Sequence, residues 1–157
     1  MKFKLKSSIQ LDVITKNGRL YTKELFEKSL IKYLKGNSHF GEYLEYDQDY
    51  SDSVDLNNIS HEILDVIVDD YGNIIVEIET VPTREGAYIK KLIQENNAHI
   101  RMRAIGTVKK DKEKNYNVVE ALDIMTFDVI QNESKKENDE GRSSESGLLQ
   151  SSTTGIT

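Results

Sequence analysis

The sequence predicts an α+β fold, an antiparallel β-sheet carrying two helices, and three observations predict it. Two runs rich in β-branched residues, Ile59 to Val68 and Ile74 to Val81, flank the turn sequence Asp69-Asp70-Tyr71-Gly72-Asn73, the pattern of a hairpin. Two further runs, His99 to Val108 and Tyr116 to Ile130, are separated by a Lys/Asp/Glu-rich turn, and the first of them alternates Ile100, Met102 and Ala104 against Arg101 and Arg103. Between the strands, residues 23–35 and 84–95 repeat their apolar positions at helical spacing. Strands in this order, with helices set between pairs, form a sheet packed by helices.

Taken along the chain, the first sixteen residues alternate loosely, with Phe3, Leu5, Leu11 and Val13 on one parity, as in a half-buried strand or hairpin. Asn17-Gly18 marks a turn, because both residues tolerate positive φ. Thr22 caps the first helix, where Leu25, Phe26, Ser29, Leu30, Tyr33 and Leu34 share a face, and Gly36 stands where a left-handed cap is expected. From His39 to Asn58 the pattern dissolves into Tyr, Asp, Ser and Gly and reads as a long surface loop. Pro82 ends the second hairpin strand ahead of a helix over 84–95, and Asn96-Asn97 closes that helix. The expected core is Leu64, Val66, Ile74, Val76, Ile78, Ile100, Met102, Leu122 and Ile124, packed by Leu30 and Leu34. Beyond Asn132 the composition shifts to Glu, Lys, Asn, Ser, Gly and Thr, too polar to offset its own ordering entropy. The expected organisation is therefore a domain over 1–132 and a disordered polar tail over 133–157. Within that tail, Leu148-Leu149 and Ile156 form a pattern suited to adding a short strand to an exposed sheet edge or filling a groove on a neighbour.

Composition narrows the functional classes. The 157 residues, 37% hydrophobic and 31% charged, suffice for one modest core. No apolar run approaches the roughly 20 residues of a membrane span. The basic start, Met1-Lys2-Phe3-Lys4, leads into alternation and not into an apolar leader, so the expected location is the cytoplasm that made the chain. A net charge of −6 gives nucleic acid no general attraction. The absence of cysteine excludes disulfides, thiolate metal sites and cysteine nucleophiles.

Few constellations carry chemistry. His39, His61 and His99 show no metal-ligand spacing, so neither a metal nor a cofactor is expected. Asp47-Gln48-Asp49-Tyr50-Ser51-Asp52 begins like a calcium loop, but Asp52 replaces the required glycine and Asn58 the bidentate glutamate, so it reads as a solvated acidic loop. Arg101 and Arg103 share a strand face; they either grip a phosphate or carboxylate or, more simply, pair with glutamates of a neighbouring strand as a charged sheet face. Ser60 and His61 are adjacent on a strand, where neighbouring side chains point to opposite faces, and are expected not to meet.

The order of several short motifs resembles the prohead core protease family of tailed bacteriophages. Asn17-Gly18-Arg19-Leu20-Tyr21 precedes a helix, Gly41-Glu42 follows, and then Asp55-Leu56-Asn57-Asn58-Ile59-Ser60-His61-Glu62-Ile63, similar to that family's Asn-Gly-Arg start, Gly-Glu-Leu-Gly-His-Pro segment and Ser-His-x-Ile strand. Val81-Pro82-Thr83-Arg84-Glu85-Gly86 is similar to its Thr-Pro-x-Gly turn, Arg103-Ala104-Ile105-Gly106-Thr107-Val108 to its Ser-Arg-Gly-hydrophobic-Gly-Ser-Val strand, and Asp128-Val129-Ile130 to its closing segment. The resemblance covers about residues 15 to 132. It implies a herpesvirus-assemblin-like fold, a largely antiparallel β-barrel with peripheral helices, and serine chemistry in which a histidine activates a serine.

At both chemical positions this chain departs from the family. Glu45 stands where the histidine belongs, with Tyr46 at the proline position, and Arg101 and Met102 stand at the serine pair. Neither a guanidinium nor a thioether attacks a peptide carbonyl, and losing the serine costs on the order of a million-fold in turnover. Ser60, His61 and Thr107 remain as displaced candidates, with His39 and Ser38 behind them. If the barrel forms, Glu45 is expected near Met102, with Arg101 or Arg103 beside it as an ion pair. The function this implies is a non-catalytic structural or assembly protein of a phage particle, present in the virion or host cytoplasm. Its expected partners are capsid, portal or scaffold proteins, with no nucleic acid or membrane, in a multi-copy assembly. The alternative is an active maturation protease with displaced residues.

Overall fold

The computed structural model describes residues 1–36, 39–45, 51, 53–110, 113–132 and 149–151. Among them the chain forms β1 (Lys2–Gln10), β2 (Arg19–Leu20), α1 (Lys23–Leu34), β3 (Phe40–Leu44), a 3-10 turn at Leu56–Asn58, β4 (Ile59–Val68), β5 (Asn73–Thr80), α2 (Arg84–Gln94), β6 (Ala98–Lys110), β7 (Asn117–Gln131) and β8 (Leu149–Ser151). Six strands close into a barrel in the order β1-β5-β4-β3-β7-β6 and back to β1. The α+β expectation with two helices therefore holds, and the sheet is a barrel. Two of its seams are parallel: Ser7 of β1 faces Ile100 of β6, and Tyr43 and Leu44 of β3 face Val129 and Ile130 of β7. The remaining seams are antiparallel, so the barrel is mainly antiparallel as expected. Parallel neighbours need long connections, and both seams join strands far apart in the chain.

The elements form for local reasons that the barrel then uses. Asn73 to Thr80 keeps Ile74, Val76 and Ile78 on the inward parity, all three wholly buried, while Gly72 at φ 86° lets the preceding turn reverse tightly. Thr22 Oγ1 accepts the Leu25 N–H at 3.3 Å and starts α1, which lays Phe26, Ser29, Leu30 and Tyr33 against the barrel. Ser29 Oγ accepts the Ile124 N–H of β7 at 3.3 Å, fixing the helix on that strand. Thr83 Oγ1 likewise caps α2 by accepting the Gly86 N–H at 3.0 Å, and Ile89 and Leu92 are its buried face. The N- and C-terminal bounds of both helices fall within a residue of the sequence expectation.

Several expectations are corrected. The segment 39–58 is not one long loop: Phe40–Leu44 is strand β3, and Gly41, Glu42 and Leu44 are buried in the barrel wall. Its short, Gly/Tyr/Glu composition hides a strand whose burial comes from the strands beside it, β4 and β7. Gly36 is not left-handed; α1 ends through Lys35 in right-handed geometry, with the Gly36 N–H donated to Tyr33 O. Leu64 is 37% exposed, because a β-bulge between Ile63 and Asp65 makes it the extra residue and leaves Ile63 and Val66 facing inward. Leu34, 43% exposed, lies in the last turn of α1 at the margin of the buried stripe, and Leu122 is half-buried. The calcium-like segment 47–52, apart from Ser51, lies outside the described residues, as do 133–148 and 152–157. No described helix is long and apolar enough to cross a membrane.

Candidate functional site

Strand β6 carries the residues that resemblance placed at the reacting centre. Its inward parity, Ile100, Met102 and Ala104, is wholly buried in the hydrophobic core. Its outward parity, Arg101 and Arg103, is 4% and 1% exposed. These arginines are interior groups and not an exposed sheet face, although Arg103 does pair with carboxylates of other strands as that reading expected.

Arg103 is the hub. Its Nε and Nη2 donate to Asp128 Oδ2 and Oδ1 at 2.9 and 2.8 Å, a bidentate clamp across β6 and β7. Nη2 also donates to Glu42 Oε2 on β3 at 2.9 Å, and Nη1 to the carbonyls of Ser53 and Ser51 at 2.8 and 3.4 Å. The carboxylates are fixed in turn. Asp128 Oδ1 accepts the Glu42 N–H at 3.1 Å, and Glu42 Oε2 accepts the Asp55 N–H at 3.1 Å. One guanidinium thus joins three strands and the backbone at Ser51 and Ser53. Burial works against both signs of charge: it raises the Asp128 carboxyl, with Arg103 pulling it back, and it tends to lower Arg103. For Arg103 the hydrogen bonds and charges of Asp128 and Glu42 prevail and hold the guanidinium above its ordinary value. The arginine direction governs, because a guanidinium does not release its proton in proteins.

A second polar pair lies beside it. Ser60 Oγ and His61 Nδ1 are 2.7 Å apart, and His61 Nε2 is 2.8 Å from the Phe127 carbonyl. A carbonyl only accepts, so Nε2 carries the proton and Nδ1 accepts from Ser60. The expectation that adjacent strand residues cannot meet fails here for an identifiable reason. Gly41 pairs with His61 and Glu42 with Ile59, so Ser60 is the extra residue of a β-bulge, and strict alternation is lost. The imidazole fills the gap between β3 and β7, reaching Phe127 across Gly41. A Cβ at Gly41 would run into both the His61 ring and the Phe127 carbonyl. Burial lowers the His61 pKa to about 4, with the Phe127 hydrogen bond opposing it. The arrangement is that of a hydroxyl, a neutral base and an orienting acceptor, but both side chains are 0% exposed.

The other candidates are dispersed. Glu45 is exposed just past β3 and accepts from the Tyr43 hydroxyl at 3.3 Å. Through Leu44, Ile130 and His99 it lies level with the start of β6, upstream of Met102. The carboxylates that engage Arg103 are Glu42 and Asp128. Thr107, half-buried, pairs with Gln150 of β8. His39 Nε2 donates to the Tyr33 carbonyl at 2.9 Å. Ser38 lies outside the described residues. Sequence reasoning assigned no role to Glu42 or Asp128, although both lie in quoted motifs; the signal was the pair of arginines on one strand face, which demands carboxylates if that face is buried. Among the described residues no cluster of three His, Asp or Glu side chains is placed to hold a metal ion.

No family model and no curated protein matches the chain. Among solved structures, it is similar in fold to the bacteriophage T4 capsid assembly protease, gp21, with a TM-score of 0.69 at 17% sequence identity, over 83% of this chain and 81% of that one.

Proposed function

We propose that this chain is a non-catalytic structural or assembly protein of a tailed-phage particle, built on a prohead-protease-like fold. Two things support the reading: the barrel is similar in fold to a capsid assembly protease, and Arg101 and Met102, the residues that the sequence resemblance aligns with that family's serine pair, are a buried arginine and a core methionine. A barrel wall cross-linked by Arg103, Glu42 and Asp128 suits a rigid building block. It offers no nucleophile at those positions. The partners in this reading are capsid, portal or scaffold proteins, and the location is the virion or the host cytoplasm during assembly.

The Ser60–His61 hydrogen bond favours a second reading, an active maturation protease with a displaced dyad. It requires that a pair now wholly buried become reachable by a peptide. Incubating the purified chain with unprocessed capsid and scaffold precursors separates the two. The first reading expects no cleavage, and the chain present in purified particles or assembling heads by mass spectrometry. Cleavage abolished by Ser60→Ala, or by Thr107→Ala, would establish the second and end the first.

A further inference from the structure

Strand β6 is longer than the barrel needs. On one side it pairs with β7 from Ala98 to Lys110. On the other, β1 touches it at Ser7 opposite Ile100, leaving the run toward Lys110 as an edge. On that edge sits β8, parallel, with Gly106, Thr107 and Val108 opposite Leu149, Gln150 and Ser151. Leu149–Ser151 thus adds a strand to this sheet edge, one of the two roles the tail's pattern suggested.

We propose that this edge is an acceptor for the Leu149–Ser151 strand of a second copy of the chain, so that the tail links copies by strand exchange. Two facts carry it. First, reach: Asn132 is hydrogen-bonded at Asn97, beside the start of β6, and Gly106 lies roughly 30 Å farther along the strand. The stretch from Asn132 to Leu149 can extend to about 55 Å, enough to return to its own β6 and equally to cross to a neighbour's. Second, strength: three residues supply few ladder bonds, so the strand leaves its own edge readily. A tether of this length holds its own strand at an effective concentration on the order of millimolar. Dilute chains therefore close on themselves, and chains packed at comparable local concentration exchange. This inference does not depend on whether the domain is catalytic.

The chain contains no cysteine, which makes the register testable directly. Two full-length chains of different tag mass, one Thr107→Cys and one Gln150→Cys, are mixed and oxidised; neighbouring strands bring Cα atoms within disulfide range. The expected result is a mixed dimer that rises with concentration and exceeds, at least tenfold, the yield of Lys91→Cys with Gln150→Cys. Adding Leu149→Pro to the Gln150→Cys chain should abolish it, because proline removes a backbone donor. The double variant Thr107→Cys/Gln150→Cys should cross-link within one chain even when dilute. A mixed dimer no more abundant than the Lys91 control overturns the exchange, and failure of the double variant to close overturns the pairing itself.

Discussion

Arg103 and His61 meet the same difficulty, a polar side chain inside a barrel wall, in opposite electrostatic states. Arg103 stays charged because Asp128 and Glu42 supply two carboxylates and Ser51 and Ser53 two backbone carbonyls. Arg103→Met would leave both carboxylates buried without their cation, and the expected cost is about 3–5 kcal/mol in chemical denaturation. A loss below about 1 kcal/mol would show that the cluster is not ionised. Arg103→Lys should recover only part of the loss, since an ammonium cannot make the bidentate clamp. His61 instead stays neutral. Its pKa falls from 6.5 to about 4 in the folded barrel, so between these values the unfolded chain binds the extra proton. Stability from this group is therefore intact above pH 6.5 and lost as pH falls toward 4, a change on the order of 3 kcal/mol. His61→Gln should flatten that part of the stability profile. An unaltered slope between pH 6.5 and 4 would mean that the imidazole is not held neutral.

Strands β4 and β3 show how single insertions set what faces inward. The bulge at Leu64 turns that residue out while Ile78 opposite Ile63 stays at 0% exposure. Ile78→Ala should cost roughly 2–5 kcal/mol, and Leu64→Ala should stay within about 0.5 kcal/mol. Equal losses at the two positions would place the bulge elsewhere. Gly41→Ala should cost about 1–3 kcal/mol or more, because its methyl would displace the His61 ring from Phe127; a neutral result in thermal melts would contradict this packing. The same elements mark the limit of what the sequence makes legible. β5 was readable to within a residue, because Ile74, Val76 and Ile78 alternate cleanly between two turn signals. β3 was not, because Gly41 and Glu42 are buried by contacts with His61 and Arg103, which arrive from distant parts of the chain. Ser60 and His61 were misjudged for a related reason: a bulge is a property of two strands together, and one strand's sequence does not contain it. The arginine cluster was half legible, since Arg101 and Arg103 advertised themselves while Glu42 and Asp128 looked like motif residues without a task.

At the scale of the whole molecule, stability and closure are unevenly distributed. The β4–β5 and β6–β7 pairs are hairpins, local in sequence and continuous over most of their length. The two seams that turn the sheet into a barrel are short and non-local: Ser7 with Ile100, and Tyr43 and Leu44 with Val129 and Ile130. Loop-closure entropy must be met before such contacts stabilise anything, so the hairpins should form early and the seams last, with refolding in the millisecond-to-second range of non-local β folds. In the native state the same asymmetry predicts the order of opening. Amides of β4, β5 and the β6–β7 ladder should exchange at rates governed by global unfolding, and those of Tyr43 and Leu44 by a lower-energy opening of the β3–β7 seam. Arg103 bears on this order, because it spans β6, β7 and β3 and so reinforces the seam that its backbone pairing leaves weak. Hydrogen exchange on Arg103→Met should therefore show β3 losing protection by more than the β4–β5 hairpin does. A uniform loss across all strands would mean that the barrel opens as one unit and that the cluster supports the whole fold equally.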